Sequence, residues 1–138
     1  MKYTVSAIAG VVGSIITYPL GGWDLALQTL SLFMAVDYIT GLIVDGVFKK
    51  SPKTKKGGLS SLIGWKGLCR KGMALMIVLI ACRLDMLIGT EFIRDAVVIA
   101  YCTNEAISII ENAGIMGVPI PKAITNAIES LKTKEDEQ

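Results

Sequence analysis

Residues 93–112 read IRDAVVIAYCTNEAISIIEN, and this stretch decides the fold class. A helix needs about 20 residues to cross the hydrocarbon core of a bilayer, and this segment has that length. At 100° per residue its polar side chains fall within one arc of roughly 120°, and they are Tyr101, Asn104, Glu105, Ser108, Glu111 and Asn112. The opposite face is apolar. The pattern predicts a membrane helix with lipid on one side and water or polar partners on the other.

The composition of the whole chain is shifted toward membrane proteins. Hydrophobic residues make up 52% and charged residues 19% of the 138 residues, and the mean hydropathy is +0.56. Soluble domains carry about 25% charged residues. A chain of this length suits one domain, and a soluble all-α bundle is the alternative to a membrane protein.

Several classes of chemistry lack their usual residues. The chain has no histidine, which excludes catalysis or metal binding by imidazole. The cysteines Cys69, Cys82 and Cys102 are widely spaced and form no CxxC pair. No phosphate-binding loop or nucleophile–base pair is recognisable. The sequence therefore predicts no enzyme, no cofactor and no metal site, and it gives no indication of a nucleic-acid partner.

Three more segments are long and apolar enough to be predicted as spans, namely residues 3–20, 25–48 and 69–89. Together with residues 93–112 they predict an all-α integral membrane protein with about four transmembrane helices in residues 1–113. Residues 114–138 are predicted to form a short cytoplasmic amphipathic helix, over residues 121–132, and a polar tail. The first segment carries small residues at helical spacing where another helix could pack, namely Ser6, Gly10, Gly13 and Ser14. A secretory signal peptide is the alternative for that segment.

Charged residues interrupt the second and third segments. Asp37 lies in the middle of residues 25–48 and shares an arc with Tyr38, Gly41 and Asp45. A charge at that depth faces the protein interior or water, so Asp37 needs a partner. Arg83 and Asp85 lie two residues apart and so point to different sides of their helix. Arg83 is expected either to pair with Asp37 or Glu105 or to extend toward the outer interface.

A basic segment at residues 49–72 sets the expected orientation. Eight of the 14 Lys and Arg residues lie there, and no acid separates them: Lys49, Lys50, Lys53, Lys55, Lys56, Lys66, Arg70 and Lys71. Loops rich in Lys and Arg stay in the cytoplasm. Four spans with this loop inside place both termini in the cytoplasm.

The polar residues of the spans are too many for four helices of one copy to bury. The candidates for lining a pore or joining helices are Asp37, Tyr38, Gly41, Asp45, Arg83, Asp85, Tyr101, Asn104, Glu105, Ser108, Glu111 and Asn112. We expect a homo-oligomer in which these stripes meet across subunits or line water. The alternative is that the residues only hold helices together by hydrogen bonds.

Several short motifs give the chain a resemblance to a known family. They are DYITGL at residues 37–42, the serine, glycine and basic run of residues 60–71, RLD at residues 83–85, NEAISIIEN at residues 104–112 and GVPIPK at residues 117–122. In this order and spacing they resemble the toxin-secretion and phage-lysis holin family of Gram-positive bacteria and their phages. The resemblance covers nearly the whole chain from about Asp37 onward.

The resemblance implies a small protein that oligomerises in the cytoplasmic membrane and permeabilises it. Its partners would be further copies of itself, the lipid bilayer, and an endolysin or a large protein toxin as cargo. It implies no catalytic site. Two alternatives stay open: a small four-helix proton-coupled transporter that uses Glu105, and an antiholin-type regulatory subunit.

Overall fold

The computed structural model describes residues 1–49 and 60–137, and within them it is helical with no strand. Helix α1 covers Lys2–Thr17 and is followed by a 3-10 turn at Tyr18–Leu20. Helix α2 covers Leu25–Ile43 and continues as a π-helical turn at Val44–Phe48. Helix α3 covers Ser61–Ile88, α4 covers Ile93–Ile115 and α5 covers Lys122–Asp136.

Helix α3 begins earlier than the sequence analysis predicted. A basic loop was expected up to residue 72 and a span from residue 69, but one helix of 28 residues runs from Ser61. Lys66, Arg70 and Lys71 therefore lie on this helix. The charges suggested a break, yet Lys and Arg are good helix formers and no proline occurs in Ser61–Ile88. Lys50, Lys53, Lys55 and Lys56 lie outside the described residues.

The C-terminal helix is longer than predicted. It was expected over residues 121–132 with a polar tail behind it, but α5 continues to Asp136. Lysine and glutamate dominate that tail, and both have high helix propensity. Ile128 is buried, and α5 packs against α4.

Helices α2, α3 and α4 form the core. Helix α4 packs closely on both others, whereas α2 and α3 contact each other at few positions. The core side chains come from these helices and the turn before α2, and they are Leu20, Leu27, Leu30, Met34, Val78, Val98 and Cys102. Within residues 1–49 and 60–137, helix α1 contacts mainly that turn, and none of its residues is buried. Large apolar side chains are exposed on the outer faces, among them Ile8, Ile15, Leu32, Met76, Ile80 and Leu87.

Two helices are long and apolar enough to cross a membrane, Lys2–Leu20 and Leu25–Phe48. Helices α3 and α4 have sufficient length, at 28 and 23 residues, but they carry several charges. The structure therefore provides two apolar candidate spans among the described residues. The four-span arrangement stays a prediction.

Charged residues join α2, α3 and α4 at one end of the core, where α2 and α4 start and α3 ends. The Asp24 carboxylate caps α2 by accepting a hydrogen bond from the Leu27 amide at 3.0 Å. The Arg94 guanidinium donates to both Asp24 oxygens at 2.8 and 3.0 Å and to the Leu20 carbonyl at 2.5 Å. Gly21 has φ +94°, a backbone conformation that favours glycine, and a Cβ there would also overlap the Arg94 side chain. Both the backbone conformation and the close packing therefore require glycine.

The side chain of Asp85, near the end of α3, caps the start of α4. Its carboxylate accepts hydrogen bonds from the backbone amides of Ile93 and Arg94 at 3.0 and 2.9 Å, and from the Thr90 hydroxyl at 2.6 Å. Helix α4 has no side-chain cap of its own at Phe92. A residue at the end of α3 thus satisfies the free amides at the start of α4 and fixes the turn between the two helices.

We expect Arg94→Met to lower the free energy of unfolding by about 1–3 kcal/mol, because it removes charge-assisted hydrogen bonds and leaves the Leu20 carbonyl unpaired. Denaturant unfolding in detergent micelles, followed by circular dichroism, measures the change. Arg83→Met is the matched control, since Arg83 is an exposed arginine. Equal unfolding midpoints for the two variants would contradict this role of Arg94.

We expect the Asp24–Arg94 pair to be lost in acid. The Arg94 hydrogen bonds lower the pKa of Asp24 below its ordinary value of 3.8, and the Leu27 amide adds to this, although partial burial opposes it. The folded chain therefore binds this proton less readily than the unfolded chain does. The stabilisation is fully present above pH 3.8 and disappears as the pH falls through the lower folded pKa.

The difference in unfolding midpoint between wild type and Asp24→Asn measures this effect. Asparagine still caps a helix but carries no charge. We expect a clear difference at neutral pH that closes in strong acid. A difference independent of pH would show that the charge of Asp24 is irrelevant.

Candidate functional site

A cleft of about 350 Å³ opens between α2, the first half of α3 and α4. Most of the polar residues singled out in the sequence line it, namely Asp37, Tyr38, Gly41, Asp45, Tyr101, Asn104, Glu105, Ser108 and Asn112. Arg70 and Lys71 line it as well. The α4 stripe thus faces a polar space that belongs to one copy of the chain.

An ion cluster of three side chains crosses this cleft. The Lys71 ammonium lies 2.7 Å from Asp37 Oδ2 and 2.6 Å from Glu105 Oε2. Each of the three side chains comes from a different helix, and each is only 13–15% exposed. We call these residues the ion triad. It ties α3 to both α2 and α4.

The second oxygen of Asp37 is also paired. Its Oδ1 accepts hydrogen bonds from the Ser108 hydroxyl at 2.6 Å and from the Asn112 amide at 3.2 Å. The same amide nitrogen of Asn112 lies 2.9 Å from the Thr40 hydroxyl oxygen. Among the described residues, no buried side-chain nitrogen or oxygen lacks a partner. A carboxylate in the middle of α2 is thus compensated inside the chain, as its burial requires.

The partner of Asp37 is Lys71, and the pairing of Arg83 with Asp37 or Glu105 expected from the sequence is not seen. Arg83 is exposed, and its guanidinium lies 3.7 Å from the Met86 sulfur. The sequence does not single out Lys71 as this partner, because the residue belongs to a basic run that is predicted to be a loop. Helical spacing carried the signal: Lys71, Val78 and Asp85 follow each other at seven-residue intervals and so share one face of α3.

The remaining candidates lie elsewhere. Asp85, near the end of α3, is buried against the start of α4. Glu111 is exposed on α4 outside the cleft. The small residues Ser6, Gly10, Gly13 and Ser14 lie on α1, where the Ser14 hydroxyl donates to the Gly10 carbonyl at 2.9 Å. A Cβ at Gly10 or Gly13 would meet nothing within 4 Å, so no described part of the chain packs there.

The cleft is mixed in charge. Asp37, Asp45 and Glu105 supply carboxylates, and Arg70 and Lys71 supply cations. Amides, hydroxyls and two tyrosine rings complete the lining. Such a surface is readily hydrated, and it lies inside a body whose outer faces are apolar. The arrangement can hold water or ions between helices.

Comparison with known proteins agrees with the resemblance drawn from the motifs. The model of the bacteriophage holin family matches residues 14–133. An uncharacterised 14.9 kDa protein from the nagH 3' region of Clostridium perfringens is 39% identical over 126 residues, which cover 90% of this chain and 89% of that protein. An uncharacterised protein of Listeria monocytogenes is 39% identical over 129 residues, covering 91% of this chain and 86% of that one.

One relative carries a functional name. A probable holin of Bacillus phage phi105 is 29% identical over 113 residues, covering 81% of this chain and 78% of that protein. No solved structure matches the chain. The family match and the two apolar helices indicate a membrane protein. Since the family model covers most of the sequence, this chain belongs to the bacteriophage holin family.

Proposed function

We propose that this protein oligomerises in the bacterial cytoplasmic membrane and permeabilises it, releasing an endolysin or a large protein toxin. The observation that carries the proposal is the polar cleft, which places charged and amide groups from three helices inside an otherwise apolar body. Membership of the holin family and the phage relative named a probable holin support it.

The size of the cleft argues for several copies. A volume of about 350 Å³ corresponds to roughly a dozen water molecules at about 30 Å³ each. No folded protein passes through such a space. Release of a protein cargo therefore requires several copies whose polar faces come together around a wider aqueous path.

The structure changes the reason for expecting an oligomer. The sequence suggested that the polar stripe of α4 needs a second copy to pair with. Glu105, Ser108 and Asn112 instead find partners on α2 and α3 of the same chain. The case for assembly thus rests on the cargo and the family rather than on unpaired groups.

The proposed topology has α1 to α4 crossing the membrane. Helix α3 has 28 residues and is about 42 Å long, which exceeds a hydrocarbon core of about 30 Å. Its first turns, with Trp65 and Lys66, would lie at the cytoplasmic interface, where tryptophan and lysine are favoured. The Asp24, Arg94 and Asp85 network would then lie at the outer interface, and both termini in the cytoplasm.

We expect expression of this protein alone in a bacterial host to collapse the membrane potential, as read by a potential-sensitive dye. Asn104→Leu should delay or weaken the collapse at least about twofold, because it replaces an exposed amide of the cleft by a group that water wets poorly. Ile80→Leu is the matched control, since Ile80 is an exposed apolar residue of α3.

Three results would contradict the proposal. A protein that accumulates in the membrane without depolarising it would fit an antiholin-type subunit instead. Resistance of the host to toxic cations without depolarisation would fit the small transporter. Identical behaviour of Asn104→Leu and wild type would show that the cleft does not face the aqueous path.

We also expect the polar face of α4, inside and beside the cleft, to become accessible to water-soluble reagents. In a chain whose three cysteines are replaced by serine, Asn104→Cys and Glu111→Cys should react with a charged, membrane-impermeant thiol reagent after depolarisation begins. Only a hydrated thiol ionises and reacts. Ile80→Cys should stay unmodified in lipid. Equal labelling of all three positions would contradict a path along this face of α4.

A further inference from the structure

In the part of the chain that the structure describes, the ion triad joins α2 to α3 across the cleft. The bond from the Lys71 ammonium to Asp37 is the only side-chain hydrogen bond between these two helices among the described residues. Both helices pack closely on α4, but they contact each other at few positions. Lys71 is therefore the polar link between the first half of α3 and α2, in addition to close contacts such as that of Tyr38 with Gly64.

The groups that close the cleft are also the groups that would be hydrated in an open path. In this structure the ammonium and both carboxylates face each other at 2.6–2.7 Å and are largely shielded from solvent. If the helices separated toward lipid, these charges would lose their partners without gaining water, at high cost. If they separated toward water, hydration would replace the lost bonds.

We propose that Lys71 acts as a latch that holds the single copy closed, and that opening requires its bond to Asp37 to be exchanged for water or for polar groups of neighbouring copies. This inference rests on the proposed function and assigns a regulatory role to one residue of the same cleft. A latch of this kind favours the closed state until other copies bring polar surfaces into contact with this one.

The experiment measures the time from induction to loss of membrane potential, at matched amounts of protein in the membrane. The first variant is Asp37→Asn, which keeps an acceptor oxygen for Ser108 and Asn112 and leaves Lys71 paired with Glu105. It removes the charge that links α2 to α3, makes the bonds from Ser108 and Asn112 of α4 weaker because their acceptor is neutral, and leaves no unpaired charge. We expect its onset at least about twofold earlier than that of wild type, because the closed state is destabilised.

Three further variants complete the test. Lys71→Gln removes the ammonium and should also open early, whereas Lys71→Arg keeps the charge and several donors and should follow the wild-type schedule. Lys66→Gln is the matched control, because Lys66 is an exposed lysine on the same helix and lies outside the cleft. It should open on the wild-type schedule.

The outcomes separate the latch from the function it regulates. If wild type depolarises the membrane, and Asp37→Asn and Lys71→Gln do so at the same time or later, the latch is overturned. The pore-forming function then stays in place. Early onset in Lys66→Gln as well also overturns it, since any lost charge would then suffice. A wild type that never depolarises the membrane overturns the proposed function and the latch with it.

Discussion

The contact of one ammonium with two carboxylates is the constraint on which the inner part of the molecule depends. Lys71 brings a positive charge into the space between α2 and α4, where Asp37 and Glu105 would otherwise repel each other. In a poorly solvated region these three charges cost less together, at hydrogen-bonding distance, than they would if each were buried separately. The cleft, the contacts of the α4 stripe and the position of α3 all follow from this arrangement.

A second network does the same at the end of the bundle where α2 and α4 begin and α3 ends. Arg94 joins the start of α4 to the start of α2, and Asp85 joins it to the end of α3. Between the two networks the packing is apolar, with Leu30, Val78 and Val98 at its centre. The charged groups therefore lie in two layers, and each layer binds the same three helices. This explains how a chain with charges in apolar segments forms a defined bundle.

Much of the helical pattern could be predicted from hydropathy and breaker residues, because Gly21, Gly89 and Gly117 end helices with positive φ. The residues of α2 and α4 that line the cleft share the helical arcs around Asp37 and Glu105, whereas the α3 side, with Lys71, lay outside the predicted pattern. What local patterns could not supply was the pairing between helices. A lysine in a basic run is ordinarily solvated, and only its shared face with Val78 distinguishes Lys71 from its neighbours. The pairing of a given acid with a given cation depends on how three helices pack against each other and on which residues they bring to the same height along the bundle.

Internal pairing bears on how a pore-forming protein could accumulate before it acts. A copy that left Asp37 or Glu105 facing lipid would carry a cost of about 2.5–3.5 kcal/mol for each charge and would associate at once. Here those charges are compensated within the chain, so a single copy is compatible with the bilayer. Opening one copy alone would expose the same groups to acyl chains. In the proposed assembly, opening several copies together would expose them to shared water instead, and the balance between closed and open forms would then depend steeply on how many copies meet.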